Sequence, residues 1–234
     1  MIHESDMLRS PETIGVPDSR TLALVRVNRE TGERRQILPS DQHSAISEFV
    51  LNATVPEQIS IHFETAKNLY LYAWFVFRFY PVAEQQAFSC LEFSLRERQP
   101  AFVKEYVERH HRNFEPGLHA LLRNAIEEGL VENAAFRSRE RWALGRAIAR
   151  LRYEMMDKMT TEGLNEMSFD YENVSATIDD LNHDWLSDFL ETIPELRNEY
   201  AHGSGMLYHT VLHTFEVVSE LVNQLYPRPN PQSP

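Results

Sequence analysis

Cysteine is almost missing from this chain: 234 residues contain one, Cys90. No intramolecular disulfide can form, so the fold needs no oxidising compartment. Glycine is sparse, at 8 residues, and no glycine-rich phosphate loop occurs. A Gly-x-Ser-x-Gly elbow and a Cys-x-x-Cys pair are also missing, so the enzyme classes built on them lose support. Long apolar runs are lacking too. The most apolar stretch, Leu69 to Phe77, has nine residues, whereas a membrane-spanning helix needs about 20. The N-terminus MIHESDMLRSPETIGVPDSR shows no apolar stretch of signal-peptide length. The expectation is a cytoplasmic protein with no membrane partner. Basic residues are outnumbered, 23 Lys plus Arg against 35 Asp plus Glu, for a formal net charge of −12. That excludes a general nucleic-acid coat protein, whose surface is basic.

What is present is a foldable chain. Hydrophobic content of 42% with 11% aromatic is too high for a disordered protein. The length suits one domain with an elaboration, since domains run about 100–200 residues. Residues 1–19 are polar, hold Pro11 and Pro17, and read as a flexible arm. Thr21 to Val27 (TLALVRV), then Asn28 to Gly32, then Glu33 to Leu38, signal a hairpin that Pro39 ends. A lone hairpin is marginal, so residues 20–55, with a short helix over His43 to Leu51, should pack on a bundle.

Residues 56–226 read as a helical domain. Glu57 to Phe79 lacks Gly and Pro and is apolar on nearly every side in its later part, as for a central or shared helix. Pro81 interrupts it, and Val82 to Arg98 is a second helix with Phe88, Leu91 and Leu95 at 3–4 spacing. Short helices follow at Phe102 to His110 and Leu118 to Glu128, then a longer one at Ala134 to Met159. Residues 160–180 read as a loop. A helical turn at Asp184 to Leu190 restarts at Pro194 and runs to His202. Gly203-Ser204-Gly205 punctuates it, and Met206 to Tyr226 is the last helix. The fold class is therefore all-α: an up-down bundle of four principal helices, with a small N-terminal β-hairpin, a helical insert over 101–180 and a disordered proline-rich tail over 227–234.

Charge is segregated. Residues 96–158 hold 13 Lys/Arg and 10 Asp/Glu, a net of +3, which leaves −15 for the remainder. Arg137, Arg139, Arg141, Arg146, Arg150 and Arg152, with Lys158, face three acids in the helix 134–159. Residues 159–202 hold 11 acids and one base, Arg197. The arginine helix is either a solvated face with pairing along the helix or one wall of a phosphate-binding groove. On the second reading Arg139, Arg146 and Arg150 are RNA-binding candidates.

The informative segment is Ile193-Pro194-Glu195-Leu196-Arg197-Asn198-Glu199-Tyr200-Ala201-His202-Gly203. Arginine offers a permanently charged fork that matches phosphate oxygens. Histidine titrates near neutrality and can move a proton. Asparagine can donate to a phosphate or orient the histidine. In RNA cleavage a base deprotonates the ribose 2′-OH, and arginine meets the charge on the phosphorane. With an internal nucleophile that chemistry requires no metal, and no cofactor is expected. Positions 197 and 202 are separated by about 140° and about 7.5 Å on an ideal helix. Arg197 must swing towards His202, or two copies must meet across a two-fold axis.

Arg197-Asn198, three residues, then His202 resembles the signature of the HEPN superfamily, in which Arg precedes His by four to six positions at the end of the third main helix. The segment AWFVFRFYPVAEQQAFSCLEFSLRER also resembles the first two helices of abortive-infection (Apea-like) HEPN domains. The resemblance covers roughly 57–99 and 184–226. It implies a metal-independent endoribonuclease acting as a homodimer on RNA, with Arg197, Asn198 and His202 as catalytic residues. Tyr200 and Glu92 are supporting residues, Glu92 as the candidate to hold Arg197 or His202. It also implies a toxin or phage-defence setting with an antitoxin or partner protein; other members only bind nucleotides or scaffold a partner. Ser204 stands where some HEPN toxins carry a modified tyrosine, so that control mode is not expected. Glu191, Glu195 and Glu199 offer the competing reading, in which they neutralise Arg197 in a structural cluster.

The remaining signals read as structure. His209 and His213 have zinc-compatible i, i+4 spacing, but nothing nearby completes a ligand set, so no metal is expected. His110 and His111 read as a solvated turn, Cys90 as core, and Tyr70, Tyr72, Trp74, Phe75, Phe77 and Phe79 as core plus dimer interface.

Overall fold

The computed structural model describes residues 2–28, 31–109, 115–168, 170, 173–201 and 208–228. The chain is a mostly helical bundle with ten α-helices among the described residues and one two-stranded antiparallel sheet. It divides into two units, residues 1–131 with 190–234, and residues 132–189.

The first unit is built round α4 (Phe79–Arg98), which buries residues on nearly every side, including Phe88, Leu91 and Leu95. It packs against α3 (Glu57–Tyr72), α10 (Leu212–Leu225) and α6 (Leu118–Glu127). Helix α3 presents Ile59, Phe63, Ala66 and Tyr70, spaced four, three and four apart, as one stripe. Phe63 and Tyr70 meet Phe215 of α10 with ring centroids 6.0 Å apart in each case. Each such side chain contributes about 1.5–3 kcal/mol on burial. The last carbonyls of α10 are met from elsewhere: Asn52 Nδ2 donates to Asn223 O and Tyr226 O, and Arg98 Nε donates to Leu225 O. These bonds satisfy acceptors that a helix end leaves open.

Helix α3 ends at Tyr72, before the expected break at Pro81. Pro81 instead lies in the first turn of α4, where its missing N–H removes no intrahelical bond. The break falls on the aromatic run because a distant segment competes for its backbone. Asp18, fully buried, accepts Phe77 N–H at 3.2 Å, and its own N–H donates to Trp74 O at 3.1 Å. Arg9 donates to Phe75 O. Arg20 binds both Asp18 and Asp6, and Asp6 reaches Arg78. The segment expected to be a flexible arm is thus hydrogen-bonded onto the α3–α4 turn. Trp74 and Phe77 are buried there, whereas Tyr72 is exposed.

Preceding the bundle, α1 (Ser19–Leu22) takes the first residues of the expected strand, capped by Asp18. The hairpin pairs β1 (Val25–Val27) with β2 (Arg34–Gln36), Arg26 opposite Arg35, and every strand residue is exposed. It is tied to α2 (Pro39–Ser47) through Arg35 and Asp41. Pro39 opens α2 rather than merely ending the hairpin. Helices α5 (Pro100–Arg109) and α6 also belong to the first unit, so the expected insert 101–180 is not one body. Gln99 explains this locally: its buried amide donates to Leu95 O and Leu121 O and accepts from Asn124, which joins α4 to α6.

The second unit holds α7 (Arg139–Glu162), α8 (Ile178–Leu181) and the start of α9 (Trp185–Ala201). Phe136, Trp142, Trp185 and Phe189 form its aromatic core, with centroids 5.1–5.8 Å apart. Helix α9 continues through Pro194 without the expected restart, and the chain re-enters the first unit within it. A proline there costs about 3 kcal/mol. Burial of Leu186, Phe189, Ile193 and Tyr200 at helical spacing opposes that cost. Helix α10 begins at Leu212, later than expected, so His209 precedes it. His110, His111, His202, Gly203, Ser204, Gly205 and the end of the tail lie outside the described residues.

Asp18→Ala should destabilise the protein by about 1.5–3 kcal/mol, because it removes charged hydrogen bonds to the half-buried Arg20 and the acceptor of the Phe77 N–H; denaturant titration measures this. Burial alone would raise the Asp18 carboxyl, but hydrogen bonds from Arg20 and the Phe77 N–H hold it below the ordinary range. Its contribution is therefore complete above the unfolded value, about 3.9, and is lost as pH falls through the lower folded value. In Asp18→Asn that part of the acid-induced loss should disappear.

Candidate functional site

Helix α4 carries two inward carboxylates, Glu84 and Glu92, eight residues apart, and α9 lays Tyr200 and Arg197 against them. Arg197 Nη2 lies 3.0 Å from Glu92 Oε2, and Nη1 donates to Asn198 Oδ1 at 3.4 Å. Among the described residues this ion pair goes to α4, not to Glu191, Glu195 or Glu199 on its own helix. Glu92 is buried and its other oxygen lies 3.1 Å from Arg96 Nη2. One buried carboxylate is therefore shared by two guanidinium groups. The mostly exposed Glu115 lies 3.5 Å from Arg96 Nε. The Arg197 side chain is 36% exposed, so a mounted cation still reaches solvent. Such a group can hold a phosphate oxygen while Glu92 fixes its plane. Asn198 is exposed beside it; His202 follows outside the described residues.

Sequence reasoning missed Glu84. It is 3% exposed. Its Oε2 accepts Tyr200 O–H at 2.6 Å and Tyr208 O–H at 2.8 Å, and its Oε1 accepts from Thr214. Burial raises its pKa, against the opposing pull of the Thr214 and Tyr208 hydroxyls. The only sequence signal was an acid inside the apolar pattern of α4. His209 sits edge-on to Phe77 and Tyr80, and burial lowers its pKa. Among the described residues no group of three His, Cys, Asp or Glu is placed to hold a metal ion. Cys90 is buried, with its thiol pushed up to about 12 by burial, which leaves it unreactive.

The arginine helix has a different arrangement. In the second unit Arg150 forms a bidentate pair with Asp180 at 2.6 and 2.9 Å. Arg146 lies 3.8 Å from the same carboxylate, 3.2 Å from His183 Nε2 and over the Trp185 ring. Arg139 donates to Leu181 O and Asn182 Oδ1. All three RNA-binding candidates thus hold α8 and its flanks. Asp180 also closes a capping box with Thr177. The Thr177-x-x-Asp180 spacing was the available signal for it, in a stretch read as loop.

No helix of the described residues is long and apolar enough to cross a membrane. Set against protein-family models, curated proteins and solved structures, the chain finds no match in any of the three.

Two outcomes follow from these geometries. Asp180→Ala should lower stability by about 1–3 kcal/mol through lost charged hydrogen bonds and should raise the salt needed to elute the protein from heparin, as Arg146 and Arg150 are released. Glu84 has the opposite pH sign from Asp18. Its raised folded pKa favours the folded state at low pH, and that contribution drains away as pH rises from the unfolded value, about 4.3. Denaturation across that range should show the slope in wild type and its loss in Glu84→Gln.

Proposed function

We propose that this chain is a metal-independent endoribonuclease of HEPN type. A 2′-oxygen of RNA, as it loses its proton, attacks the adjacent phosphorus, and the P–O5′ bond breaks to leave a 2′,3′-cyclic phosphate and a protonated 5′-OH; Arg197 offsets the phosphorane charge, His202 transfers the proton, and Asn198 orients them. A second copy supplies the other half of a composite cleft, and the setting is a toxin or phage-defence system in the cytoplasm. The observation that supports this reading is the mounting of Arg197: Arg197 and Asn198 stand on the last turns of α9, which ends one residue before His202, and a buried glutamate shared with Arg96 holds the part-exposed arginine. A solvated salt bridge would not need a buried partner.

A second reading, a non-catalytic nucleotide- or protein-binding module, draws on a different observation. Arg139, Arg146 and Arg150 are all engaged within the chain, so an extended RNA track along α7 is not on offer.

Structured and unstructured RNA, incubated with the protein in EDTA, should yield 2′,3′-cyclic phosphate ends. Arg197→Ala and His202→Ala should each lower the rate by about 10²–10³-fold. Identical products from wild type and His202→Ala discard the catalytic reading, and nucleotide binding without cleavage selects the second.

A further inference from the structure

The polar seam on α4 has two stations, and both touch the end of α9 that carries Arg197 and Asn198. Glu92 holds Arg197. Glu84, two turns earlier, holds Tyr200, three residues after Arg197 on the last turn of α9. The same carboxylate receives Tyr208, where the described chain resumes, and Thr214 in the first turn of α10. One buried side chain on the central helix therefore binds residues on both sides of the connection from α9 to α10. The two aromatic rings it gathers lie 6.4 Å apart, centroid to centroid.

An apolar residue at this position would pack at least as well and would avoid the desolvation of a carboxylate. What a carboxylate adds is direction. Hydroxyl donors converging on two fixed oxygens set distance and angle, whereas apolar contact sets only proximity. The arrangement suits a site whose parts must be held to a fraction of an ångström.

We propose that Glu84 is a positioning residue of the candidate site, acting through Tyr200 and Tyr208 to hold Arg197 and the start of the return to α10 in register with α4. Its part in cleavage rests on the ribonuclease reading above; its part in holding the two segments does not.

The test uses the full chain and the variants Glu84→Gln and Tyr208→Phe, the second of which removes one oxygen and leaves Tyr200 and Thr214 on the carboxylate. Two readouts are taken together: amide hydrogen exchange, and kcat and KM on RNA. Tyr208→Phe should speed exchange at Arg197 to Tyr200 and at Tyr208 to Val211 by about tenfold or more, with the amides of α3 unchanged. It should lower kcat by about tenfold or more with KM within about twofold, because geometry rather than binding is lost. Glu84→Gln should show the same pattern, larger. Unchanged exchange at those amides in both variants overturns the proposal. So does uniformly faster exchange including α3, which would make Glu84 a brace of the whole bundle. If wild type does not cleave RNA, the ribonuclease reading falls, and the exchange pattern alone decides whether Glu84 holds the two segments.

Discussion

A carboxylate removed from water must find donors or give up its charge, and α4 buries two of them on its inner face. Glu92 finds Arg96 and Arg197; Glu84 finds Tyr200, Tyr208 and Thr214. Every one of these partners except Arg96 lies on α9, α10 or the chain between them. The C-terminal part of the first unit is thus organised by what two glutamates on the second main helix require. Apolar burial brings α10 onto α4, but it is the donors that select which turn of α9 faces which turn of α4.

The junction between α3 and α4 follows the same logic with the backbone as the acceptor and donor. A run of aromatics without Gly or Pro has no local reason to stop being helical at Tyr72. It stops because the backbone groups of Trp74, Phe75 and Phe77 have partners in Asp18 and Arg9, residues far away in the chain. Trp74 and Phe77 are then buried in a turn instead of along a helix. A segment that looked polar and loose becomes the cap of the turn beneath which the central helix begins.

The arginines of the two units are put to different use. The net −12 excluded a basic coat, and it left open a cleft with a local positive excess. At Arg96, Glu92 and Arg197 two guanidinium groups share one buried carboxylate, and Glu115 lies on the other side of Arg96. On α7, Arg139, Arg146 and Arg150 are taken up by Asp180, His183 and the acceptors of Leu181 and Asn182. The number of arginines on a helix does not by itself make an anion site, since an arginine counts towards a ligand only by the donors its neighbours leave open.

By itself the sequence determined the helical class, the hairpin, the apolar stripes of α4 and α10, and the candidate segment at the end of α9. It also singled out Glu92 as a partner for Arg197. These features are local, because helical periodicity, turn residues and short motifs are written in neighbouring positions. The tertiary structure decided the rest: the end of α3 at Tyr72, the continuity of α9 through Pro194, the engagement of Arg139, Arg146 and Arg150, and the role of Glu84. Each of these depends on a hydrogen bond, ion pair or apolar contact between residues distant in sequence. No pattern along the chain records such a pair, because its strength lies in distance, direction and exclusion of water, which exist only once the chain has folded.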